Sequence, residues 1–114
     1  MRKYRRERIL IRFALVPSAV ALSLRQDFAK ATITAKERRG KNKGNAVIIM
    51  DLDDTVDRDK LCQFISRHKI PKKKCTLHMS LVTDQYMDGM STPKFVISLA
   101  CRIGCELQFT FTRV

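Results

Sequence analysis

An α+β domain with a mostly antiparallel sheet is the fold class that this 114-residue sequence predicts, on three observations. Apolar residues alternate with period two in several short stretches, as half-buried strands require. Two further stretches carry apolar residues at helical spacing between recognisable caps and stops. The composition (45% hydrophobic, 30% charged, only 4 Gly and 3 Pro) is that of a folded chain with one core, not a disordered one.

The first element is a strand over residues 7–16, with Ile9, Ile11, Phe13 and Leu15 on one face and Leu10, Arg12 and Ala14 on the other. Pro17-Ser18 breaks it. Residues 19–29 read two ways. Their Ala and Leu favour a helix, Val20, Leu22 and Leu24 alternate as in a strand, and the helix is preferred. Residues 31–39 read as a strand, 40–45 (GKNKGN) as a turn by composition, and 46–52 (AVIIMDL) as a buried strand. Together they make a hairpin with a basic tip.

A second helix follows. Asp54 or Thr55 caps it, Asp57 and Asp59 occupy its first turn, Leu61, Phe64, Ile65 and His68 form its stripe, and Pro71 ends it. Residues 75–83 alternate, with Cys75, Leu77, Met79 and Leu81 against Thr76, His78 and Ser80; residues 84–91 are a polar loop. The third helix has Thr92 as cap, Pro93 at its first position, Phe95, Val96, Leu99 and Ile103 as stripe, and Gly104 as stop. Leu107, Phe109 and Phe111 against Gln108, Thr110 and Thr112 give a last strand with one wet face. The order is β-α-β-β-α-β-α-β. Its first six elements match a ferredoxin-like split βαβ sandwich, extended by a C-terminal α-β. The expectation is a single domain over 1–114, with a basic N-terminal arm at 1–8 and a basic hairpin tip at 36–45.

The charge is unusual at +12, and it is uneven: residues 1–44 hold thirteen Lys/Arg against three acids, residues 45–114 ten against eight. Excess charge of one sign repels itself and draws counter-charged partners. The candidate binding residues for a nucleic acid or an acidic protein are therefore Arg2, Lys3, Arg5, Arg6 and Arg8 of the arm, and Lys36, Arg38, Arg39, Lys41 and Lys43 of the tip. A smaller run stands at Lys72-Lys73-Lys74.

Cys62, Cys75, Cys101 and Cys105 include no CxxC pair, and their spacing to His68 and His78 fits no compact zinc finger. Buried thiols in a reducing, cytoplasmic setting are expected, with no metal and no cofactor. Arg2–Arg8 followed by an apolar stretch mimics a signal peptide, but Arg12 and Pro17 interrupt that stretch. No run is long enough to span a bilayer, and a membrane-surface role lacks an amphipathic helix beside the basic clusters.

The hydrophobic strand 46–52 ending in Asp51-Leu52-Asp53-Asp54-Thr55 resembles the first motif of haloacid-dehalogenase-type phosphatases. The resemblance implies Asp51 as nucleophile and Asp53 as general acid/base, both helping to hold Mg²⁺, with Thr83 and Lys94 completing the later motifs. It covers ten residues. About 45 residues precede the motif, and no later pair of acids ends a strand, so helix capping is the preferred reading of these carboxylates.

Two binding functions remain. The split βαβ scaffold resembles RNA-recognition domains, and Lys43-Gly44-Asn45-Ala46-Val47-Ile48-Ile49-Met50 resembles their third strand. Here Asn45, Val47, Met50 and, on the first strand, Leu10 stand where stacking aromatics belong, so binding would rest on phosphate contacts. The alternative is a small bacterial immunity or inhibitor protein that neutralises an acidic-surfaced toxin. No small-molecule substrate is implied.

Overall fold

The computed structural model describes residues 4–85 and 89–114. Among them the chain runs β1 (Arg5–Pro17), α1 (Ala19–Asp27), β2 (Ile33–Glu37), β3 (Asn45–Asp51), α2 (Arg58–Arg67), β4 (Cys75–Thr83), α3 (Lys94–Ile103) and β5 (Glu106–Arg113). Single 3₁₀ turns occupy Gly40–Asn42 and Lys72–Lys74. The fold is α+β, with a five-stranded mixed sheet of order β2-β3-β1-β4-β5. Strand β1 lies antiparallel between β3 and β4, β2 is antiparallel to β3, and β5 runs parallel to β4.

Alternation sorts the sheet into two faces. Ile11 pairs with Met50 and Leu77, Phe13 with Ile48 and Cys75. All six are buried in one cluster with Val20 and Leu24 of α1, Leu61, Phe64 and Ile65 of α2, and Val96 and Leu99 of α3. All three helices therefore cover this face. The opposite face carries Arg6, Arg8, Leu10 and Arg12 of β1 and Thr76, His78 and Ser80 of β4, and no helix lies on it.

Strand β1 slips register between Phe13 and Val16, where Leu15 has a φ of 54°. This bulge reverses the last part of the alternation, so Val16 is buried under the helices and Leu15 is not. The ambiguous segment after Pro17 is helical. Val20, Ala21 and Leu24 are buried at helical spacing, while Leu22, which a strand would bury beside them, is 64% exposed.

The caps differ from expectation. Asp57, not Asp54 or Thr55, caps α2, accepting from the Lys60 N–H at 3.0 Å. Asp53 and Thr55 close the preceding turn instead, Asp53 Oδ1 accepting from the Thr55 N–H at 2.9 Å. Helix α2 ends at Arg67, and Lys69 (φ 52°) turns the chain before Pro71. At α3 the cap position is Pro93 rather than Thr92, and no side chain bonds there. Gly104 stops α3 in the left-handed region (φ 73°), its N–H donating to the Ala100 carbonyl at 2.8 Å.

The expected arm is shorter than the sequence suggests, since Arg5 to Arg8 belong to β1 and pair with Thr83 to Ser80. Strand β5 also departs from expectation. All eight of its residues are exposed, so it has no covered face. The apolar side of α3 (Val96 and Leu99) is spent on the common core, and β5 lies at the sheet's margin.

Candidate nucleic-acid interface

The sequence groups the arm and the hairpin tip as one basic end, but the structure separates them. Arg5 pairs with Thr83 at one end of β1, and Pro17 pairs with Asn45, at the base of the tip, at the other. Thirteen strand residues at about 3.3 Å each put roughly 40 Å between those ends. The tip's neighbour is the Lys72–Lys74 run. Phe13 pairs with Cys75, so the turn before β4 lies beside the end of β1. The bulge leaves the Leu15 carbonyl outside the regular ladder, and Lys74 Nζ donates to it at 2.9 Å. Three residues on, the Ser18 N–H donates to the Gly44 carbonyl at 2.8 Å, fixing the tip to the same turn.

Residues 36–45 and 69–74 thereby form one basic pole. They hold nine cations (Lys36, Arg38, Arg39, Lys41, Lys43, Lys69, Lys72, Lys73 and Lys74) against a single acid, Glu37. Eight of these cations are exposed and Lys74 is half-buried. Among the described residues none of the nine is in an ion pair. So many like charges within one small surface repel each other, and an arriving polyanion relieves that repulsion.

From the pole a row of arginines runs down the open face of β1. Arg12, Arg8 and Arg6 share one parity, and alternate strand positions are about 6.7 Å apart. Arg12 and Arg6 are exposed and outside any ion pair among the described residues. Arg8 is held by Asp51, with Nε at 2.9 Å and a terminal nitrogen at 2.8 Å from Oδ1. Arg5, on the other face, bonds Glu7 and the Gly89 carbonyl. Arg2 and Lys3 lie outside the described residues.

No protein-family model, curated protein or solved structure matches this chain. The reading of the site therefore rests on its own geometry.

Three residue groups need placing. Leu10 and Val47 line the open face and Met50 is fully buried beneath the helices, so none of the stacking positions presents a ring. Within strands β1 to β5 the open-face positions hold no Phe, Tyr or Trp, and the exposed Tyr4, one residue before β1, shares the parity of Arg6 and Arg8. The Asp-rich segment borders a cavity of about 550 Å³ whose walls include Phe28, Lys30, Asp53, Asp57 and Lys60. Three of its carboxylates have an occupation: Asp51 holds Arg8, Asp57 caps α2, and two hydrogen bonds from Thr55 keep Asp53 below its usual pKa. Of the paper zinc set, Cys75 points into the core and His78 onto the open face, where Nε2 meets Thr110 Oγ1 at 2.7 Å. No three metal-ligating side chains gather among the described residues. All four cysteines are free, and burial, with Cys105 close by, pushes the Cys75 thiol up to about 12. Among the described residues no helix is long and apolar enough to cross a membrane.

The sequence reading missed Arg12, Lys69 and the rank of Lys72–Lys74. Arg12 was available from parity alone, because it alternates with Arg6 and Arg8. The others were not, because only the β1–β4 register brings residue 74 to residue 15.

Proposed function

We propose that this chain is a non-enzymatic nucleic-acid-binding module that docks its basic pole, and the arginine row leading from it, on phosphates. The observation that carries this reading is the convergence of the hairpin tip and the Lys72–Lys74 turn on one surface of unpaired cations. With no ring at the stacking positions of β1 and β3, recognition rests on the phosphate backbone and is weakly sequence-selective. Every neighbouring pair in the order β2-β3-β1-β4 is antiparallel, which supports the ferredoxin-like split βαβ reading of the first six elements. The free thiols support a reducing compartment such as the cytoplasm.

The test is fluorescence anisotropy with a 20-nucleotide RNA and a 20-base-pair DNA duplex across a potassium chloride series. Six or more phosphate contacts predict a slope of log K against log salt of about −5 or steeper on duplex. A flat salt response overturns the proposal. Pull-down from a nuclease-treated extract gives the second arm. An acidic protein retained there, with no nucleic-acid affinity, would transfer the pole to the inhibitor reading.

A further inference from the structure

A different surface carries the inference, independently of the proposed function. Among the described residues strand β5 is an edge with only β4 beside it. On its helix side Leu107, Phe109 and Phe111 are 39%, 53% and 42% exposed. Their parity matches Leu77, Met79 and Leu81, which the helices bury on β4. Helix α3 extends the strip. Its Arg102 reaches α2 through an ion pair with Asp59 at 2.6 Å, so exposed Ile97, on the other side of the buried Val96 and Leu99 stripe, lies on the flank turned away from α2.

Edge strands of monomeric proteins are blunted by lysines, prolines, bulges or short length. Strand β5 has none of these. Its eight residues keep an unbroken register against β4, from Glu106 opposite Thr76 to Arg113 opposite Thr83, and include no Lys and no Pro. In a chain of charge +12, this edge carries one acid and one base. Self-repulsion guards the rest of the surface and spares this strip.

We infer that a second copy of this chain pairs with the edge of β5, antiparallel and about a two-fold axis through Phe109, to give a continuous ten-stranded sheet. The axis stands perpendicular to the sheet, so both helix layers stay on one side and facing residues share parity. That register sets Phe109 against its counterpart and Leu107 against Phe111, twice, with Gln108 against Thr110 on the open face. Apolar meets apolar and polar meets polar from Glu106 to Thr112, and cross-strand aromatic pairs are among the favourable ones. The two α3 flanks close over the seam. Because the axis reverses strand direction, the two basic poles end up at opposite ends of the assembly, where they repel least. The strip offers on the order of 300 Å² of apolar surface per copy, and with the edge backbone the contact falls at the small end of specific interfaces, so the dimer is reversible.

The test is sedimentation velocity of the 114-residue chain from 2 to 200 µM in 0.3 M salt. The expected result is a transition from 13.2 kDa to twice that mass. Phe109→Lys should weaken association at least tenfold while the far-ultraviolet circular dichroism and Tm stay near wild type. A second variant reads the register without depending on that one. Phe109→Cys with Cys101→Ser, oxidised by diamide, should give a covalent dimer, because facing antiparallel residues stand about 4.5–5.5 Å apart, within disulfide reach. Leu22→Cys in the same background should not. A monomer at every concentration overturns the inference, as does a mass growing past two copies or cross-linking equal at both positions.

Discussion

Splitting the basic residues by location makes a quantitative prediction. Three double variants partition the charge: Arg38→Gln with Arg39→Gln at the tip, Lys72→Gln with Lys73→Gln at the turn, and Arg5→Gln with Arg6→Gln at the far end of β1. Lys74 is left in place because its ammonium is bonded to the Leu15 carbonyl and the loss would disturb the turn itself. Each cation on a duplex phosphate contributes about 0.9 to the slope of log K against log salt. Either pole variant should therefore flatten the slope by about 1.8, which at 0.15 M salt is about a 30-fold loss of affinity. The far-end pair should change the slope by less than about one unit, because Arg5 is engaged with Glu7 and the Gly89 carbonyl and only Arg6 faces the open side. Tip and turn touch phosphates independently, so their losses should add in the quadruple variant. Anisotropy titrations at four salt concentrations measure all of this. If the turn variant keeps the wild-type slope while the tip variant loses it, the pole is not one surface. If the far-end pair matches the tip pair, the N-terminal cluster is the interface and the geometric argument fails.

Removing the α2 cap with Asp57→Ala should cost about 1 kcal/mol in urea denaturation, and a cost near zero would show that the Lys60 N–H is equally well served by water. Phe64→Ala, at a fully buried ring packed edge-on against Phe28, should cost about 3–5 kcal/mol. The Cys75 thiol titrates near 12 in the folded state against 9.0 unfolded, so its stabilisation is intact below pH 9 and drains as pH rises towards 12. Cys75→Val should accordingly lose less stability than wild type between pH 9 and 11; parallel losses would refute the linkage. With Mg²⁺ and p-nitrophenyl phosphate the protein should show no hydrolysis above blank, and a rate abolished by Asp51→Asn would establish the phosphatase chemistry instead.

Local pattern made some elements legible in full. Strand β4 matches its expected bounds, Cys75 to Thr83, because nine residues alternate without a break and its two faces meet different environments. Gly104 ends α3 where expected, since only a left-handed residue serves there. What escaped depends on distant residues. The Leu15 bulge has no local signature, and it decides that Val16 rather than Leu15 is buried. Asp53, Asp54, Thr55 and Asp57 are all good capping residues, and the choice among them is made by where Leu61, Phe64 and Ile65 must land in the core. The candidate site was half legible for the same reason. Its tip is a run in the sequence, whereas its union with Lys72–Lys74 exists only after β1 and β4 pair.

The central position of β1 bears on how the chain is made. Arg5 must wait for Thr83, seventy-eight residues later, before that rung of the sheet closes. At about 5–20 residues per second the ribosome takes roughly 4–16 s to supply it. For that interval the longest strand of the protein has its β4 edge bare, and until β3 follows it has both, carrying Ile9, Leu10, Ile11 and Phe13 in succession around one arginine. Arg5, Arg6, Arg8 and Arg12 are spaced through it, and charges so placed act as gatekeepers against the pairing of exposed strands. The arginine row proposed to meet phosphates in the finished fold would then have served first as protection against aggregation during synthesis.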